Sequence, residues 1–204
     1  YGTEDFLIIT YTPIGELLSK DSLDGLRGLK EDLTKLERIE SVVSILDVPL
    51  LNSPRIKVSD LESNQRTLET PGLDKKQAKK EFMESPIYRK FLASPDGKTT
   101  SLLALYKRDK TYYSLLEARD DLREKKRDQG FLIPEEEKKL REVSLEFKRY
   151  LAHVQDIQSE EIEKIRSILD KYRGKAKIFL GGLPMITSDM IDLIETDLYV
   201  FGIG

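Results

Sequence analysis

Three stretches set the architecture: Asp5-Phe-Leu-Ile-Ile-Thr-Tyr-Thr-Pro13, the leucine ladder Leu23, Leu26, Leu29, Leu33 and Leu36, and Val42-Val-Ser-Ile-Leu-Asp-Val-Pro49. The first is an apolar, β-prone run stopped by proline, which reads as a strand. Its near-continuous apolarity predicts burial on both faces. Ser19-Lys-Asp-Ser22 then offers helix caps. The leucines follow at steps of three and four, the spacing of one helical face. Gly25 and Gly28 lie within that helix, where glycine either weakens it or permits close packing. The third stretch reads as a strand over 42–48, ended by Pro49. The first fifty residues are therefore one β-α-β unit.

Working outward, residues 51–71 carry Pro54 and no clean period, and read as a loop. A short helix is expected over 74–84, with Asp74 as its cap and basic residues outward. Residues 85–94 form an irregular apolar-aromatic segment. Ser94-Pro-Asp-Gly97 has the residue order of a type I turn, and a strand follows over 99–106. Next comes a long charged tract. Leu115, Ala118 and Leu122 make a thin seam on its first arm, and Gln129-Gly130 breaks it. Pro134 and Glu135-Glu-Glu137 open a second arm, where proline and acids suit a helix start. Leu140, Val143, Phe147, Tyr150, Val154 and Ile157 then recur at alternating threes and fours, a heptad seam. The two arms predict an antiparallel helical hairpin over 111–157, with Phe147 and Tyr150 facing Leu115 to Leu122. Ser159 is expected to cap one more helix bearing Ile162, Ile165, Leu169 and Tyr172. A strand over 176–180 follows. Gly181-Gly-Leu-Pro184 turns the chain, and Thr187 or Ser188 is expected to cap a last helix.

Without the connector and the helical excursion, the order is β-α-β twice. The fold class expected is α+β, built from ferredoxin-like split βαβ units with an inserted antiparallel hairpin. One domain over 1–204 accommodates this, and 204 residues are enough for a real core.

Composition narrows the function. Lys plus Arg number 34 and Asp plus Glu 37, a net charge of -3. That balance argues against a nucleic-acid binder and against a disordered acidic tail. There is no Cys and one His, which removes disulfides, thiol nucleophiles and thiolate or polyhistidine metal sites. Asp96-Gly97-Lys98-Thr99 looks like the end of a phosphate-binding loop. Leu92 stands where the partner glycine belongs, and the segment leads into a strand rather than a helix. His153 and Asp156 are half a metal site with nothing to complete it. Asp189, Asp192 and Glu195 share a helical face, where Asp189 suits a helix start. No residues support an enzyme, no cofactor is expected, and no metal site is assigned.

Asp5-Phe-Leu-Ile-Ile, Ser94-Pro-Asp-Gly-Lys-Thr-Thr100 before a strand, and Gly181-Gly-Leu-Pro-Met-Ile186 with Asp189-Met190 and Asp197-Leu198 occur in an order that resembles the first large extracytoplasmic loop of RND-superfamily exporters, hydrophobe/amphiphile efflux (MMPL-like) branch. The resemblance covers essentially the whole chain. It implies a periplasmic-side porter domain of an inner-membrane protein that exports hydrophobic or amphiphilic molecules on the proton gradient. The partners implied are the transmembrane domain and second porter half of the same full-length chain, neighbouring protomers, and the greasy small molecules themselves. The proton-relay acids of that family lie in transmembrane helices, so none is assigned here. The 111–157 hairpin resembles the insertion of this branch.

Two features agree with an excised loop. The chain starts at Tyr1 rather than Met and ends on the apolar run Leu198-Tyr-Val-Phe-Gly-Ile-Gly204. A helix over 188–204 would then lead toward a transmembrane segment starting near Tyr199, with another span before Tyr1. Both ends would meet one membrane face, placing Asp5 and Asp197 on one side of the domain. No internal stretch reaches the roughly 18 apolar residues of a span. A greasy ligand asks for an apolar cleft with few polar anchors. Phe82, Tyr88, Phe91 and Leu92, in an irregular segment between elements, are the candidate lining residues; their alternative role is to plug the sheet against the connector. The alternative function is a soluble extracytoplasmic adaptor or sensor that docks proteins through the hairpin.

Overall fold

The computed structural model describes residues 6–50, 66–86, 88 and 92–201, with the backbone alone for 191–192 and 195–201. Asp5, the connector residues 51–65 and Phe91 lie outside the described residues. Four strands and five helices follow in the order β1 (Phe6–Pro13), α1 (Lys20–Thr34), β2 (Ile39–Val43), α2 (Lys75–Glu84), β3 (Thr100–Tyr106), α3 (Lys110–Gln129), α4 (Pro134–Tyr172), β4 (Ala176–Gly181) and α5 (Leu183–Phe201). The protein is α+β with an antiparallel four-stranded sheet of order β2-β3-β1-β4.

The pairings carry the topology. β1 runs antiparallel to both β3 and β4, and β2 runs antiparallel to β3. Hence β1 and β2 are mutually parallel with β3 between them, and β3 and β4 are mutually parallel with β1 between them. Each β-α-β crossover skips one strand, and each skipped gap is filled by a strand of the other crossover. Neither half can complete its sheet alone.

Cβ alternation explains the core. Leu7, Ile9 and Tyr11 of β1, Leu102 and Ala104 of β3 and Ile178 of β4 point inward and are buried. They meet Leu26, Leu29 and Leu33 of α1 and Ile162, Ile165 and Leu169 of α4 in one cluster. The expected burial of β1 on both faces is corrected: Phe6 is 45% exposed and Ile8 is exposed too. An antiparallel strand covered on one face has a second face free, whatever its sequence. Phe179 on β4 is likewise exposed.

α1 starts as its caps predict, with the Ser22 amide donating to Ser19 Oγ. Its two glycines permit close packing. A Cβ on Gly25 would lie 2.6 Å from Tyr11 Oη, and one on Gly28 would lie 3.1 Å from Tyr172 Oη. α2 begins at Asp74, whose carboxylate accepts from the Lys76 and Gln77 amides.

Three local expectations are corrected. β2 ends at Val43, not Val48. The Asp47 carboxylate accepts from the Ser44 amide and hydroxyl at 2.8 and 3.0 Å, closing a turn. Ile45 and Leu46 are buried from that turn, so their apolarity mimicked a strand. The second correction is at Ser159, which caps nothing: α4 runs 39 residues without a break. The third is at the last helix, which starts at Leu183 rather than Thr187 or Ser188. Gly182 takes φ 126° against the Phe6 carbonyl, and Pro184 occupies the first turn. Thr187 instead donates its hydroxyl back to the Leu183 carbonyl at 3.0 Å.

The chain divides into two compact units, residues 1–107 with 162–204, and 108–161. The second unit is α3 joined to the first part of α4 through Gly130, which takes a left-handed φ of 77°. Asp109 caps α3 by accepting from the Tyr112 amide. Phe147 lies 5.4 Å from the Tyr112 ring and under the Arg119 guanidinium at 4.4 Å. Tyr150 donates to both Asp109 carboxylate oxygens, at 2.8 and 3.0 Å. Phe147 thus packs on the first half of α3, where Arg119 stands between the expected seam residues, and Tyr150 reaches the helix start. Toward the link, Lys125 pairs with Glu136 and Lys126 with Glu137.

Candidate functional site

α2 and the turn before β3 hold the expected site residues. The inner side of α2 carries Ala78, Glu81 and Phe82, all buried. The Phe82 and Tyr88 rings lie 5.5 Å apart and tilted by 59°. Tyr88 donates its hydroxyl to the Pro49 carbonyl at 2.6 Å. Burial, and behind it the Glu81 carboxylate, push the Tyr88 phenol above its ordinary pKa. Leu92 is buried, and its carbonyl accepts from the Thr100 hydroxyl at 2.7 Å. The structure therefore brings Phe82, Tyr88 and Leu92 together inside the core cluster. The gap among Leu17, Leu18, Ile45, Phe82 and Ala93 has room for about 10 Å³, one water molecule at most and far too little for a ligand.

The outer side of α2 is different. Lys76, Lys79 and Lys80, with Met83, Glu84 and Pro95, line an open depression of about 450 Å³. The lysines stand at i, i+3 and i+4, so they share one helical face. Lys80 has the Glu84 carboxylate at 4.0 Å. No acidic partner is paired with the Lys76 or Lys79 ammonium among the described residues. Gly97 lets the turn approach this helix: a Cβ there would meet Met83 Sδ at 2.9 Å and Lys79 Cε at 3.0 Å. The basic outward face of this helix was legible in the sequence. The wall opposite it was not, because it comes from Pro95, across the turn.

A second depression, of about 600 Å³, lies between α1 and the segments after β2. Its Arg27, Lys30 and Lys35 cations are each paired with a carboxylate. Arg27 donates to both Glu69 oxygens, at 2.9 and 3.1 Å, and to Asp24 at 2.6 Å. Lys30 pairs with Asp47, and Lys35 with Asp32 at 2.8 Å. The Lys35 ammonium and then the Tyr172 hydroxyl hold the Asp32 carboxyl below the usual carboxylate range. Burial and the bond to Asp32 raise the Tyr172 phenol to about 12.

The remaining sequence motifs are structural where the structure describes them. Asp96 accepts from the Ser94 hydroxyl at 2.5 Å and the Lys98 amide at 3.0 Å, so its carboxylate closes the turn into β3. Those bonds hold its pKa low. His153 and Asp156 are exposed on α4. Asp189 pairs with Arg166. Among the described residues, no group of three or more His, Cys, Asp or Glu is placed to hold a metal ion. Among them, too, no helix is long and apolar enough to cross a membrane. No family model matches the chain, and no curated protein is significantly similar to it.

Proposed function

We propose that the chain is the extracytoplasmic porter domain of a proton-driven exporter of hydrophobic or amphiphilic molecules, of the RND superfamily's MMPL-like branch. The observation that carries this reading is the sheet order β2-β3-β1-β4, with two interlocked crossovers. That order is compatible with a ferredoxin-like split βαβ fold, the unit from which the resemblance would build such a porter domain. The hairpin unit of residues 108–161 lies between β3 and β4, and it supports the reading because it resembles the insertion of this branch. In this reading the domain stands on the periplasmic side of the inner membrane. It works with the transmembrane domain and second porter half of the same full-length chain and with neighbouring protomers. It handles substrate by binding and not by catalysis, and it needs no cofactor of its own.

A soluble adaptor using the hairpin for docking is the competing reading. Its support is the exposure of Phe131 (64%) and Ile133 at the link between the two arms.

The native gene separates the two readings. Apolar spans of about 20 residues on both sides of the chain are expected. A cleavable signal before it and a stop codon just after Gly204 would refute the exporter and favour the adaptor. With the spans present, deletion of the gene should raise cellular retention of a hydrophobic dye.

A further inference from the structure

We propose that the depression between α2 and the Ser94–Gly97 turn binds the phosphate or sulfate headgroup of a single-chain amphiphile, with Lys76 and Lys79 as its ligands. Three observations converge there. The first is charge: three ammonium groups meet one carboxylate, that of Glu84, and it lies against Lys80. Asp96 of the turn accepts from the Ser94 hydroxyl and the Lys98 amide and forms no ion pair with Lys76 or Lys79 among the described residues. Two cations on one helical face are therefore left for an anion, and lysine serves phosphate as a point charge.

The second observation is the wall. Met83 and Pro95 are apolar and line the same depression. A free anion has no use for them. An alkyl stem beside the headgroup does, and the flexible thioether of Met83 suits an irregular chain. The third is size. About 450 Å³ is within the range of small-ligand sites and far larger than inorganic phosphate requires. Gly97 keeps the depression in shape, because any Cβ there would push Met83 and Lys79 off the turn. The lysines and their depression are the same whether or not the chain belongs to an exporter, so failure of either claim leaves the other standing.

The intact chain is titrated calorimetrically with dodecyl phosphate below its critical micelle concentration. Dodecyl maltoside serves as the neutral analogue of equal chain length, and inorganic phosphate as the headgroup alone. Dodecyl phosphate should saturate one site, at least about tenfold tighter than either control, the size of one charge-assisted contact. Lys76→Gln and Lys79→Gln should each weaken it by about fivefold to tenfold, and raising the salt should weaken it further. Lys76 is exposed and Lys79 half-buried, and an unchanged circular dichroism melt of each variant shows that it folds. The proposal is overturned by equal binding of dodecyl maltoside, which would make the site merely apolar. Equal binding of inorganic phosphate overturns it too, making the site one for free anions. So does unsaturable uptake, or unchanged affinity in both lysine variants.

Discussion

The sheet unit and the hairpin unit are held by different physics. In the sheet unit, large side chains from Tyr11 and Leu7 to Leu169 and Ile178 are wholly buried, and they come from β1, β3, β4, α1, α4 and the segment after β2. In the hairpin unit, α3 has no buried residue at all. Its order rests on Phe147 against Tyr112 and Arg119, on Tyr150 against Asp109, and on ion pairs near the link. The exposed ion pairs among these contribute little each. Interlocked burial should thus make the sheet unit resistant to local opening, whereas a thin seam leaves the hairpin close to the stability of its own helices.

Mutations sharpen or break that contrast. Leu29→Ala empties a fully buried position of α1 and should cost about 3 kcal/mol in denaturant unfolding. A cost below about 1 kcal/mol would mean that the helix is not seated on the sheet as described.

Gly182→Ala places a methyl 2.7 Å from the Phe6 carbonyl oxygen at φ 126°, where L-residues are strained. It should cost about 2 kcal/mol and selectively destabilise the β4–α5 junction, seen as faster amide exchange at Leu180 and Gly181. Unchanged exchange would contradict the close approach.

In the hairpin, Phe147→Ala should cost only about 1–2 kcal/mol, less than a phenylalanine enclosed by core residues, because it is buried against a half-buried tyrosine and an arginine stem on a helix with no buried residue. The loss should be read in the helical signal, with near-ultraviolet signals of Tyr11 and Tyr88 retained. A loss as large as that of Leu29→Ala would erase the distinction between the units.

The smallest effect is pH-dependent. Tyr172 ionises near 10 when unfolded and near 12 when folded. Above pH 10 the unfolded chain therefore releases a proton that the folded chain keeps, so stability falls as pH rises toward 12. Because Tyr172 is only partly buried, the loss should be about 1 kcal/mol or less after solvent screening. Asp32 acts in the opposite direction: its contribution is present above the unfolded carboxylate range and lost as pH falls through its lowered pKa. Tyr172→Phe should flatten the alkaline slope between pH 9 and 11.5. An unchanged slope would assign the effect to another group.

The same contrast explains what could be read from the sequence. The elements of the sheet unit follow local rules: a two-residue alternation, leucines at threes and fours, and Ser19 and Asp74 as caps. The α+β class and the antiparallel sheet followed from element order. What escaped was governed by tertiary context. Ile45 and Leu46 looked like strand because burial, not pairing, demands their apolarity. Ser159 looked like a cap, yet no Gly or Pro interrupts α4 there, and a mid-helix serine costs only a few tenths of a kcal/mol. Thr187 and Ser188 were decoys because Pro184 had already started α5. At the candidate site, the lysines of α2 were visible as an outward basic face, but Pro95 and Gly97 reach them only through the turn. Phe82, Tyr88 and Leu92 were legible as apolar residues near one another, while their enclosure in the core was not.

Native-state hydrogen exchange on the intact chain tests the central structural claim, that a burial-locked sheet carries a separately and more weakly held hairpin. Amides of Ile9, Leu102, Ala104 and Ile178 should exchange only through global unfolding. Amides of 112–150 should exchange through a partial opening that is less costly by several kcal/mol and little affected by low denaturant. A single exchange free energy and a single denaturant dependence across both sets would contradict the account.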